Sequence, residues 1–461
     1  MNKIIAFLLI EFILVQNIFA LILCFPEKYK KYEGAFNRAF NKMIKEWDKN
    51  FEYLYLPNME DYIKYFSIYG CDLAMIEPIL YDQYYDSIAK INGLNDKDVN
   101  KTITERMNDP QDGQIYRELI KDLQVNNRNE VHAFPLFIDY GILYYRKDFI
   151  KNPPVSWNDL KSRESFENYP KTSSIYIGQI NEYHEFYYNI FENVLNTKDE
   201  INYKVVEREV FDTLNIYKNL LDKKILEDTV WHINSEYGVT RFNEKHSIYM
   251  RNWSSYLYNV TTTFNDYKKN GENITFGITK TLYNNNSTTA GQSRTINKGV
   301  YICVSNFVED KNISDAIIVA KTFSDKQFMK LLIEDKEEIF YDIPAYLSFI
   351  KQDNNNKIDN KAYCERINCT FFQELSEDHV IPTYSIFYKK QFLDKLNEFF
   401  VYSREFLSSE DNSKKIETVM EYFKDNFKNA GESTRLTLIS INSFTFIANI
   451  LLIISVCKIL L

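Results

Sequence analysis

Residues 134–160, FPLFIDYGILYYRKDFIKNPPVSWNDL, constrain the fold more than any other stretch of the 461-residue chain. The first half alternates apolar and polar positions after Pro135, carries an acid at Asp139 and a glycine at Gly141, and continues into the strand-favouring pair Tyr144 and Tyr145. Arg146, Lys147 and Asp148 close the apolar run. Pro153 and Pro154 break the chain, and Ser156 is placed to cap a helix starting at Trp157, with Asp159 in its first turn, where the helix dipole favours an acid. The stretch predicts strand, turn, helix.

The flanking sequence repeats that grammar. From Leu21 the order is an apolar run LILCF, a helical pattern over 35–47, a strand FEYLYL, a second helical pattern over 59–69, and a strand CDLAMIE. Strands alternating with helices predict a parallel sheet in a doubly wound domain, with ligands at the carboxyl ends of the strands. Residues 93–130 are a polar, solvated stretch. Beyond 160 come a strand SIYIGQI, a helix whose Tyr183, Phe186, Tyr187 and Ile190 share a face, a strand KGVYICVS, and one amphipathic helix in SDAIIVAKTFSDKQFMKLL. The linker 352–362 is polar, and residues 363–428 are helical.

Three segments in this order carry a resemblance. The run from Phe134 through Asp139, Gly141 and Tyr144–Asp148 to Pro154, Trp157 and Leu160, the run RFNEKHSIYMRNWSSYLY, and the Gly-led KGVYICVS resemble motifs of extracellular solute-binding proteins of the sugar-binding kind. The resemblance covers roughly residues 21–430. It implies an α/β, two-lobed, periplasmic-binding-protein-like (type II) fold with an interlobe ligand cleft. The first lobe is expected over 21–133, with 304–350 and part of 363–428 returning to one lobe or the other. Residues 134–303 form mainly the second lobe, and 351–430 a C-terminal helical segment. The motif positions imply ligand-binding roles for Glu77, Tyr81, Asp139, Tyr140, Gln179, Tyr183, Trp253, Gly299 and Tyr301. Trp253 offers a flat apolar face for a pyranose ring. Lys245 stands where the motif usually has Gly, and His184 where a Glu is common.

Compartment is expected from both ends. Lys3, the apolar core IIAFLLIEFILV and Ile18-Phe19-Ala20 predict a signal peptide over 1–20, with a signal anchor as the alternative. The tail 436–461 has a single charge, Lys458, and predicts a transmembrane span or the hydrophobic end of a GPI signal. Asn100, Asn259, Asn273, Asn312 and Asn368 open glycosylation sequons, as do Asn252, Asn285 and Asn286. The chain is thus expected to be a eukaryotic cell-surface glycoprotein. Cys364 and Cys369 are close enough for a disulfide, while Cys71 and Cys303 read first as buried thiols, with a bridge as the alternative and the pairing of Cys24, Cys71 and Cys303 left open.

The net charge of −9, without a basic block, excludes a nucleic-acid partner. No Cys/His spacing matches a metal site, no nucleophile motif is present and no cofactor is expected. The surplus of 35 Tyr and 34 Phe reads first as core filling. The leading reading is a non-catalytic binding protein whose lobes close on a small carbohydrate, with a membrane receptor or transporter as a further partner. The alternatives are a truncated ectodomain of a multi-span receptor and a carbohydrate-active enzyme, which would need two carboxylates flanking the scissile bond.

Overall fold

The computed structural model describes residues 21–47, 51–56, 70–77, 85–89, 91, 97–113, 119–120, 131–160, 165–166, 169, 173–180, 183–195, 207–227, 230–283, 295–351, 360–378, 380–382, 390–409 and 413–427. The expected signal peptide, the C-terminal anchor, the helix over 59–69 and Tyr81 lie outside these residues. Among the described residues no helix is long and apolar enough to cross a membrane.

The described residues contain ten strands: β1 (Leu21–Pro26), β2 (Phe51–Leu56), β3 (Leu73–Ile76), β4 (Ala133–Arg146), β5 (Ser174–Ile177), β6 (Ser247–Trp253), β7 (Phe276–Thr279), β8 (Thr295–Val304), β9 (Ile343–Pro344) and β10 (Val380–Pro382). They follow the order β2-β1-β3-β8-β4-β6-β5, with β10 beside β8 and both β7 and β9 beside β4. The opening strands β1, β2 and β3 pair in parallel, as expected. The expectation of a parallel sheet fails further on, because β8 runs antiparallel to β3 and to β4, and β4 antiparallel to β6, which makes the sheet mixed. Twelve α-helices among the described residues accompany it: α1 (Glu33–Met43), α2 (Lys97–Met107), α3 (Tyr183–Leu195), α4 (Glu207–Asp222), α5 (Ser235–Asn243), α6 (Leu257–Lys269), α7 (Asp310–Phe323), α8 (Lys326–Ile333), α9 (Lys361–Ile367), α10 (Cys369–Asp378), α11 (Lys390–Leu407) and α12 (Ser413–Phe427).

Every residue of β4 is buried, and the strand changes partners halfway. Ala133 to Tyr140 pair with β8, while Gly141 to Tyr145 pair with β6. The changeover needs Gly141: a Cβ there would lie 2.2 Å from Arg251 Nη2 and 2.6 Å from Glu192 Oε1. These two side chains form a buried ion pair, Arg251 Nε to Glu192 Oε2, at 3.0 Å. Glu192 also accepts from the Ile296 amide at 2.9 Å and from the Thr295 hydroxyl at 3.0 Å. One carboxylate on α3 therefore ties β6 to β8 across β4.

Aromatic residues fill the core beside β1. Phe323 lies 4.7 Å from Phe328 and 5.9 Å from Phe25 between ring centroids, and Phe25 is 5.8 Å from Phe36. Such pairs add to the area they bury, so this part of the Phe surplus is core filling. The short helix Glu27–Tyr32 after β1 then docks through a ladder of charge. Lys28 Nζ is 3.7 Å from Asp139 Oδ2 and 3.4 Å from Ser255 Oγ, while Lys31 Nζ lies 4.3 Å from the centre of the Tyr258 ring. Burial raises the Asp342 carboxyl to about 6 and lowers Lys31 to about 8, each opposed by the attraction between them.

Three local expectations need correction. Cys71 is not a thiol but is bridged to Cys24, because parallel pairing of Leu23 with Leu73 brings the two sulfurs together. The expected Cys364–Cys369 disulfide is present, and Cys303 is a buried thiol that burial pushes up to about 12. The helix expected from Trp157 is a single 3-10 turn, Trp157–Asp159, although Ser156 caps it as expected and forms a capping box with Asp159; the backbone is already extended at Leu160, with ψ 115°. The single helix expected over 314–332 is two, α7 and α8, because the Asp325 side chain accepts from the Gln327 amide at 2.7 Å and caps a new start. Lys245 occupies the left-handed region at φ +68°, so it keeps the turn shape that glycine takes easily and carries the strain itself.

Two outcomes follow from these buried charges. Glu192→Gln leaves Arg251 buried without a countercharge and is expected to cost about 3–5 kcal/mol in chemical denaturation, whereas the apolar double variant Glu192→Leu/Arg251→Met recovers most of that loss. For Asp342 the folded carboxyl binds its proton more tightly than the unfolded one, so its contribution is complete below the unfolded value of 3.8 and is lost as pH rises through about 6. Asp342→Asn is therefore expected to be more stable relative to wild type at neutral pH than at about pH 4, by about 2 kcal/mol, in denaturation curves collected across that range.

Candidate functional site

The changeover in β4 places one aromatic residue among charged neighbours. Trp253 ends β6 opposite Gly141 and is fully buried. Arg251 Cζ and Lys298 Nζ each lie 4.2 Å from its ring centroid, and Tyr188 of α3 meets it edge-on at 4.9 Å. An aromatic face attracts cations through its quadrupole, and more strongly when water is excluded. Burial lowers the pKa of Lys298, but Glu77, Asp139 and Glu185 outweigh it and hold the group above the ordinary lysine value. Its ammonium is 2.8 Å from Glu77 Oε1 at the end of β3.

Several of the expected residues converge here. Glu77 is buried and reaches Trp253 through Lys298. Asp139 Oδ1 accepts from the Ser254 hydroxyl at 2.9 Å and the Ser255 amide at 2.8 Å, and Oδ2 accepts from the Ser255 hydroxyl at 2.7 Å, so this acid fixes the turn that follows Trp253. The Tyr140 amide donates to Ser254 Oγ at 3.0 Å, while its ring stacks on Phe372 at 5.8 Å. Gln179 is fully buried and donates through Nε2 to the Arg251 carbonyl. Tyr183 opens α3, but its side chain lies outside the described residues, as does all of Tyr81.

Gly299 and Tyr301 lie elsewhere. The Tyr301 hydroxyl donates to the Leu119 carbonyl at 3.1 Å, and a Cβ at Gly299 would come within 2.4 Å of the Tyr301 ring. Successive strand residues point to opposite faces, so when Gly299 and Tyr301 share one face, Lys298 takes the other. Lys298 is thus the residue at Trp253 that the motif reading passed over. Its signal was a lone charge in the apolar strand TINKGVYICV. Tyr188 and Arg251 were also missed, although both sit within segments already singled out.

The cluster holds polar atoms that no described residue satisfies. Trp253 Nε1, the Tyr188 hydroxyl, Arg251 Nη1, Gln179 Oε1 and Glu185 Oε2 are all buried without a hydrogen-bond partner among the described residues. Glu185 uses only Oε1, which accepts from the Ser235 hydroxyl at 2.6 Å. Buried polar groups are normally paired, so these atoms are the exceptions that call for an explanation. A separate surface groove of about 420 Å³ between α2, α7 and α8 is self-satisfied: Arg106 donates to Ser324 Oγ at 2.6 Å, and Lys326 meets Asp112 at 2.7 Å. No group of His, Cys, Asp and Glu among the described residues is arranged to hold a metal ion.

Comparison with known proteins speaks to the fold. No protein-family model matches the chain, and no curated protein matches it. Solved structures do. MalE3 of T. maritima, solved with maltose bound, superposes with a TM-score of 0.66 at 15% identity, over 88% of this chain and 99% of its own. The GacH receptor of Streptomyces glaucescens, solved unliganded and with acarbose and an acarbose homolog, superposes with a TM-score of 0.62 at 14% identity, over 89% of this chain and 99% of its own. The mixed α/β architecture is that of the MalE-like two-lobe fold.

Proposed function

We propose that the chain is an extracellular solute-binding protein that holds a small carbohydrate at Trp253 without transforming it. The observation that carries this reading is the set of buried polar atoms, Trp253 Nε1, the Tyr188 hydroxyl and Arg251 Nη1, that lie on the indole and on side chains touching it and that no described residue satisfies. A saccharide offers hydroxyls that donate and accept together, and C–H faces that pack on an aromatic ring, so it complements both parts of the cluster. The two-lobe fold adds a route for entry, because lobes that rotate about a hinge can expose and then bury such a site. Structures of the same fold contain maltose and acarbose, which is in keeping with this ligand class.

The reading extends to location. The disulfides Cys24–Cys71 and Cys364–Cys369 favour an oxidising compartment, in line with the signal-like first 20 residues, and the apolar tail would anchor the chain at the cell surface, where a membrane receptor or transporter could sense lobe closure.

Thermal or chemical unfolding against a panel of mono- and oligosaccharides tests the binding claim. A cognate sugar at 100 times its dissociation constant is expected to stabilise the protein by about 2.7 kcal/mol, with Trp253→Phe losing most of that gain because the ring remains but the N–H does not. A panel that shifts neither protein refutes the carbohydrate. For location, secretion from eukaryotic cells should yield glycans at the exposed Asn259, Asn273 and Asn368, and none at buried Asn312 or at Asn252, whose Nδ2 donates to the Ser235 carbonyl at 2.9 Å. Mass spectrometry of the secreted protein reads this directly, and a chain without glycans at all three exposed sites counts against the secretory route.

A further inference from the structure

Within the solute-binding reading, on which this inference rests, the charges around Trp253 narrow the ligand. We propose that the ligand is an amino-saccharide whose protonated amine takes the place over Trp253 that the Lys298 ammonium holds in this structure.

Three observations converge. The aromatic face already carries an ammonium, at 4.2 Å from Trp253, with the Tyr188 ring 5.9 Å away and Glu77 at 2.8 Å. Aromatic rings and a carboxylate around a cation are the recognised means of holding an ammonium out of water. Second, the occupant is a poor fit for its position by residue type: Lys298 is 5% exposed, in a strand whose other residues are uncharged. Its four-carbon stem is flexible, so the head can leave while the backbone stays in the β8 ladder. Third, the local balance of charge is negative. Glu77, Asp139, Glu185 and Glu192 stand against Lys28, Arg251 and Lys298, and Glu185 has no cationic partner within ion-pair distance among the described residues. Its buried Oε2 is unpartnered.

These features rank ligands. A neutral sugar satisfies the unpartnered donors but must displace Lys298 and leave Glu77 facing no cation. An acidic sugar adds repulsion from Glu77 and Glu185. An ammonium replaces charge with like charge opposite Glu77 and keeps a cation within the field of Glu185, while the sugar hydroxyls meet Trp253 Nε1, Arg251 Nη1 and the Tyr188 hydroxyl.

Calorimetric titration with glucosamine oligomers, their N-acetylated counterparts and neutral gluco-oligosaccharides decides the matter, under conditions in which the amine is protonated. The wild-type protein is expected to bind the free-amine oligomers about tenfold more tightly than the acetylated ones. Lys298→Met, which removes the resident ammonium, is expected to strengthen free-amine binding further. Equal or tighter binding of the acetylated or neutral oligomers would overturn the amine while leaving the carbohydrate reading in place. Unchanged free-amine affinity in a folded Lys298→Met protein would overturn the replacement of Lys298. Should that variant fail to fold, the wild-type ranking alone still decides the ligand class. No binding of any saccharide to either protein would remove the carbohydrate reading itself.

Discussion

Arg251 and Glu192 meet where β4 leaves β8 and takes up β6, and they do so out of reach of water. A pair in that position gains little net stability over apolar side chains, because both ions have lost their hydration, but removing one member is costly. What the pair supplies is geometry. Glu192 accepts from the guanidinium on β6 and from the amide and hydroxyl at the start of β8, so the angle between the two halves of the sheet is held by one carboxylate. Gly141 leaves the space for it. The same guanidinium lies over Trp253, so the constraint that orients the sheet also positions the aromatic face.

The neighbouring charges follow the same logic in a chain. Asp139 fixes the turn after Trp253 through three hydrogen bonds and meets Lys28 from the first helical turn. Lys31, one turn on, is opposed by Asp342, which immediately precedes β9. Among the described residues, Glu77, Asp139, Glu192 and Asp342 are each met by a cation from a distant part of the sequence, and Glu185 is not. A low-dielectric interior strengthens each such attraction and penalises each missing partner, so the arrangement is sensitive to any new charge brought into it.

The sequence disclosed the elements better than their faces. β4 was legible because a Pro, an alternating run and a basic stop bracket it, and Trp253 and Glu77 were legible as the ends of strands. Lys298 was not, because a one-residue difference in register decides which face a strand residue occupies, and the Gly-led motif directed attention to Gly299 and Tyr301 on the other face. The Cys24–Cys71 bridge depends on which strands pair, and 47 residues separate its ends. The break between α7 and α8 was hidden by an apolar period that continues across Ser324 and Asp325. In each case local pattern named the element and a long-range contact decided its use.

Lys298 shows why that distinction bears on function. A buried lysine is tolerated here because Glu77 and the Trp253 face replace its water, and both are positions to which the motif resemblance gives a ligand role. A site built to hold a polar guest and a site that holds its own side chain use the same chemistry: aromatic surface, a carboxylate, and donors left over. The leftover atoms separate the two. A self-contained salt bridge would satisfy its surroundings, whereas Trp253 Nε1, Arg251 Nη1 and the Tyr188 hydroxyl are not satisfied by Lys298 or by any other described residue. Lys298 meets the electrostatic demand of the cluster and leaves its hydrogen-bonding demand unmet, which is the condition under which a ligand bearing both an ammonium and hydroxyls competes with it.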